Sequence, residues 1–111
     1  MGILHELKNI PPINYKLILQ DFEGKKDLLD SLIDQFRNNV RGQVVNMRKA
    51  ITEFDDNTIK MEAHKIKGGA ANLTLTRLSL VAKYLEKKAE EKEFEEIEQL
   101  LDLLEKELSA F

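Results

Sequence analysis

Punctuation is what this chain lacks. Its two prolines stand side by side at Pro11 and Pro12, and after Gly24 only Gly42, Gly68 and Gly69 interrupt it with glycine. Short strands need a turn roughly every 8–12 residues, and turn residues are not spaced that way here. Long helices are what remains. The apolar residues agree. Leu29, Ile33, Phe36, Val40, Val44, Met47, Ile51 and Phe54 recur at steps of three and four, which lines them along one face of a single helix. Asp55-Asp56-Asn57 breaks that pattern, and Asp56 or Asn57 is placed to cap the next helix.

Three more stripes follow. Ile59, Ala63, Ile66, Ala70 and Leu73 form one; Leu78, Val81, Ala82, Leu85 and Ala89 form the next; Phe94, Ile97, Leu101, Leu104, Leu108 and Phe111 form the last. Residues 14–22 read as a short helix entered after Pro11-Pro12 and stopped at Gly24. Linkers of a few residues force neighbouring helices antiparallel. The sequence therefore predicts an all-α fold, an antiparallel up-down four-helix bundle with a short additional N-terminal helix. Residues 14–111 would form the bundle, and residues 1–13 an N-terminal arm with no readable role.

Composition narrows the function classes. A length of 111 residues is one domain. Cysteine is absent, which removes disulfides, thiolate metal sites and cysteine nucleophiles together. Seventeen Lys and Arg against 20 Asp and Glu give a net charge of −3, and without Trp there is little for base stacking. No nucleic-acid partner is expected. No apolar run approaches the roughly 18 residues of a membrane span, and the opening turns acidic at Glu6 before any signal-peptide core develops. A cytoplasmic monomer, without membrane attachment, is the expectation.

One helix breaks its own rules. On a wheel of about 100° per residue, the stripe from Ile59 to Leu73 lies within roughly 40° of its mean, while His64 falls about 140° away and Gly68 opposite. His64 therefore points to solvent. Gly68 and Ala71, one and two turns on, leave the surface beside it bare, and Lys67 shares its side of the helix. Two helical glycines cost about 2 kcal/mol relative to alanine. Either a partner needs an accessible backbone beside the imidazole, or the helix ends at Gly68-Gly69, or another helix packs closely on Gly69.

The run His64-Lys65-Ile66-Lys67-Gly68-Gly69-Ala70-Ala71-Asn72-Leu73 resembles the signature of histidine-containing phosphotransfer (HPt) domains. That signature is His, two residues, Lys-Gly, small residues, then Asn-Leu. The helix containing Leu32 and Phe36 is similar to the family too, and the resemblance covers about residues 14–109. Thr74 stands where the family usually has Gly, and could cap the next helix; Gly69 stands where Ser or Ala is commoner. The resemblance implies that His64 is the phospho-acceptor, through Nε2. Neutral imidazole is a competent nucleophile, and phosphoryl transfer asks the protein mainly for positioning and charge compensation. Lys67 is placed to supply charge compensation. Gly68, Ala71 and Lys65 are the candidate partner-binding surface.

Antiparallel pairing adds a third residue. If the turn centres near residue 75, positions whose numbers sum to about 150 face each other, which sets Glu86 opposite His64. On its own wheel Glu86 lies about 80° from the core stripe, where a carboxylate could accept the Nδ1–H and leave Nε2 free. The resemblance supports a Glu or Gln in that role. Residues 60–77 carry a local charge of +3 and residues 86–98 one of −4. A basic surface around His64 suits an acidic receiver pocket.

Other chemistry is poorly served. His64 and Glu86 make two potential metal ligands, short of the three or four of a zinc site. There is no Gly-x4-Gly-Lys loop for ATP. His5 is isolated. The resemblance implies a stoichiometric phosphocarrier between a sensor or hybrid histidine kinase and response-regulator receiver domains, with no cofactor of its own and Mg²⁺ on the partner. The alternatives are the phospho-accepting domain of a chemotaxis-type kinase and a non-phosphorylated helical adaptor that binds through the His64–Gly68 face.

Overall fold

A computed structural model describes residues 2–11 and 14–110. Among them are six helices and no strand: α1 (Gly2–Lys8), α2 (Tyr15–Asp21), α3 (Lys26–Thr52), α4 (Asp56–Asn72), α5 (Thr76–Glu90) and α6 (Phe94–Leu108). Pro12 and Phe111, both used in the sequence reading, lie outside the described residues. Helices α3 to α6 close a ring, each packed on its chain neighbour and α3 on α6, with α4 and α5 the most extensive pair. The expected stripes fill its interior: Val40 and Met47 of α3, Ile59 and Ile66 of α4, Leu78 and Leu85 of α5, and Ile97 and Leu104 of α6 are buried. Burying each large side chain contributes about 1.5–3 kcal/mol.

The N-terminus corrects the expectation of an arm. Residues 2–8 are helical, and Ile3 and Leu7, one turn apart, are buried in the common core. They dock α1 on α5. Arg77, one of the charges counted over residues 60–77, locks that docking. Its Nη1 donates to the carbonyls of Leu7 (2.6 Å) and Ile10 (2.9 Å), satisfying the end of a helix too short to satisfy itself. Its Nε and Nη2 form a fork on the buried Glu107 of α6, at 2.9 and 2.8 Å. Tyr84 of α5 also donates to Glu6.

The helix ends correct three further details. Phe54 is not on the α3 core stripe: the helix stops at Thr52, and Phe54 has φ +52° and is 73% exposed, stacked edge-on against Phe94. The cap of α4 is Asp55, not Asp56 or Asn57; its carboxylate accepts from the Thr58 N–H at 3.1 Å. Thr74 does not cap α5, whose N-cap is Leu75. Thr74 instead closes α4, at φ +56°, while the N–H of Leu75 donates to Ala70 at 2.8 Å. The same reversal, with a non-glycine residue left-handed, ends α2 at Glu23, α3 at Phe54 and α5 at Lys92.

That geometry is one that glycine adopts without strain and threonine does not. A side chain there meets the following carbonyl, at a cost of roughly 1–2 kcal/mol, and a β-branched one fits worst. Thr74→Gly should therefore raise stability by about 1 kcal/mol, or about 4 °C in Tm. A variant that melts at or below the temperature of the unmodified chain would contradict this account.

Candidate functional site

The site is built across α4 and α5. Cross-helix pairs fix their register: Lys60 Nζ lies 2.8 Å from Glu90, His64 Nδ1 2.9 Å from Glu86 Oε1, and the Ser79 hydroxyl donates to the Lys67 carbonyl at 3.4 Å. The two helices thus run antiparallel, and Glu86 stands beside His64 as the spacing predicts. His64 is 67% exposed and Glu86 16%. Lys67, one turn beyond His64, donates to the other carboxylate oxygen of Glu86 at 2.7 Å. One half-buried carboxylate therefore holds both the imidazole and the ammonium.

Burial would raise the pKa of Glu86, but the hydrogen bonds from Lys67 and His64, reinforced by their charges, outweigh it and hold the carboxyl below its ordinary value. It is ionised at neutral pH and must accept. In the neutral ring Nδ1 is then the donor, and the lone pair sits on Nε2 of an exposed side chain. The arrangement can present a nucleophilic nitrogen to a partner, with its tautomer and ring orientation fixed from behind.

The remaining predicted residues divide. Gly68 is open: a Cβ there would meet nothing within 4 Å. At Gly69 a Cβ would come within 2.9 Å of Phe36 Cε2 of α3. The two glycines have different causes, an open surface for Gly68 and close helix packing for Gly69. Ala71 is exposed on the same face, bordering a groove that Lys67 also lines. Lys65 is engaged with Glu62, at 3.6 Å, rather than with Glu86. The groove also involves residues sequence reasoning did not single out, among them Ser79, Leu80 and Lys83 of α5. The pairing rule that located Glu86 could have found Lys83 opposite Lys67. No group of three or more metal-ligating His, Asp or Glu side chains comes together among the described residues.

A family model described as Hpt domain matches residues 31–111. The chain belongs to the Hpt domain family. The match begins inside α3 and includes all of α4, α5 and α6, so it contains His64, Lys67 and Glu86. This Hpt domain also resembles the crystal structure of histidine-containing phosphotransfer protein B from Pseudomonas aeruginosa PAO1. The TM-score is 0.78 at 23% identity, with 89% of this chain and 86% of that chain covered. The likeness is one of fold. None of the curated proteins matches the sequence.

Two measurements probe the site without a partner. Gly68→Ala should raise stability by up to about 1 kcal/mol, whereas Gly69→Ala should gain less or lose stability, because the same helix gain is set against an overpacking cost of about 1–3 kcal/mol as Phe36 moves. Equal effects in urea denaturation would refute the division. A lowered carboxyl pKa also has a sign: Glu86 stabilises the fold above its unfolded value, near 4.5, and that contribution is lost as pH falls through the lower folded value. Glu86→Gln should flatten the stability profile below about pH 5; an unchanged acid limb would show that other carboxylates carry it.

Proposed function

We propose that this Hpt domain is a stoichiometric phosphocarrier of a two-component phosphorelay, with His64 as phospho-acceptor. The observation that carries the reading is the exposed imidazole backed by Glu86 at 2.9 Å, inside the segment matched by the family model. The bond from phosphorus to the aspartyl oxygen of a donor receiver breaks as one to Nε2 forms. The Nδ1 proton stays on its hydrogen bond to Glu86. In the onward step the P–Nε2 bond breaks and a P–O bond forms on the aspartate of another receiver. Lys67 sits one turn away as charge compensation, and Gly68 and Ala71 keep the approach open. Lys65 belongs to the same partner-facing basic surface.

The Mg²⁺ for this chemistry belongs to the partner, and the chain is read as needing no cofactor. A sensor or hybrid histidine kinase and response-regulator receivers are the partners. The ring α3–α6 is read as an up-down antiparallel bundle, supported by its short connections and by the antiparallel α4–α5 pairs. No helix is long and apolar enough to cross a membrane among the described residues. A cytoplasmic monomer is the working state we propose.

The test is direct. After incubation with a kinase and a receiver, the chain should carry an acid-labile, alkali-stable phosphate, and His64→Gln should carry none while keeping its stability within about 0.5 kcal/mol. Phosphate retained by the variant would remove His64 from the role. No phosphate on either chain would leave the helical adaptor as the better reading.

A further inference from the structure

The α4–α5 face continues past His64 into a groove of about 390 Å³. Lys67 and Ala71 of α4 form one side, Ser79, Leu80 and Lys83 of α5 the other, and Ile10 stands at the rim. The antiparallel register that puts Glu86 beside His64 also sets Lys83 across from Lys67. Ile10 is there because Arg77 holds its carbonyl. Two ammonium groups across one groove repel each other, and only one of them is compensated. Glu86 takes Lys67, at 2.7 Å. Lys60 is taken by Glu90 at 2.8 Å and Lys88 by Glu96 at 2.9 Å; Lys87 is exposed and unpaired among the described residues but does not line the groove. Lys83 is exposed and has no hydrogen bond or ion pair among the described residues.

A groove with an apolar lining from Ala71 and Leu80 and an uncompensated cation on its wall is complementary to an apolar segment bearing a carboxylate. It is also continuous with the imidazole, through Lys67 and Glu86. We propose that this groove seats an acidic segment of the receiver domain, with a receiver carboxylate on Lys83 and an apolar side chain against Ala71 and Leu80. The proposal rests on the phosphocarrier reading and adds to it a specificity-determining residue, Lys83, that touches the partner and not the reacting atoms.

The experiment uses the full chain, phosphorylated on His64 chemically with phosphoramidate, so that loading requires no protein partner. Transfer is then followed to the purified receiver domain that accepts fastest from the unmodified chain. Lys83→Glu should load normally and transfer at least about fivefold more slowly at low ionic strength, with the loss in the dependence on receiver concentration rather than in the saturated rate. The gap should narrow near about 0.5 M salt, where charges at this separation are screened. Lys49→Glu makes the same charge change at an exposed position of α3 and should transfer like the unmodified chain. Equal transfer by Lys83→Glu at low salt would overturn the groove and leave the His64 reading standing. A loss that persists undiminished at high salt would overturn it too, by pointing to a disturbed surface instead of a lost charge. If the unmodified chain loads but transfers to no receiver, both readings fall together.

Discussion

Helices α4 and α5 carry fully buried alanines, Ala63 and Ala70 on the first and Ala82 and Ala89 on the second. The register read from Lys60–Glu90 and His64–Glu86 sets them nearly opposite one another. Helix axes pack about 8–10 Å apart depending on the side chains between them, and alanine belongs at the short end of that range. Close approach is what allows a single glutamate on α5 to reach both a histidine and a lysine on α4. A bulkier residue at these buried positions would push the helices apart, the direction that draws Glu86 away from its partners on α4. The chemistry of the exposed face therefore depends on small residues in the core.

The core also limits what the charges are asked to do. Exposed pairs such as Lys60–Glu90 contribute about 0–1 kcal/mol each, so they adjust register without holding the fold. Arg77 is different. Its guanidinium and its partner Glu107 are largely shielded, and every bond it makes joins separate parts of the chain: α1 and the segment after it through two carbonyls, and α6 through a carboxylate. Removing one member would leave the other charge shielded and unpaired, the situation in which a pair matters most. Through Ile10, that clamp also shapes the groove beside the site.

What could be read in the sequence was periodic. The four apolar stripes, the outward direction of His64 and its pairing with Glu86 all follow from the angle per residue and from short linkers. What escaped was aperiodic. Ile3 and Leu7 make one helical turn, too few repeats to rise above chance, so α1 read as an arm. Arg77 gave no signal because its main acceptors are backbone carbonyls, which every residue has. Two helix boundaries differ from expectation because Phe54 and Thr74 take the left-handed conformation where glycine is the usual marker. Phe54 kept the helical spacing for one residue too many and so was assigned to the core, although the backbone turns away before it. The two adjacent glycines show a similar limit. Composition shows that they cost stability, but only the position of Phe36 tells a surface glycine from a packing one.

The charge balance at His64 bears on which way a phosphoryl group would move. Before loading, Lys67 and Glu86 form a neutral pair, so the site presents no strong anion trap. A phosphoryl group on Nε2 would bring a charge of about −1.5 to −2 beside a lysine that Glu86 already engages. Lys67 keeps N–H donors beyond the one on Glu86, but that carboxylate already offsets part of its charge, which would temper its attraction for the load. A lysine held this way would steady a phosphoryl group without binding it tightly. On the phosphocarrier reading that is the useful compromise, since a relay must accept from one aspartate and release to another. A site with Lys67 unpaired would load more readily and release less. On that reading Glu86 would have two opposing effects in the loaded state: orienting the nucleophile, and weakening the hold on what the nucleophile has captured.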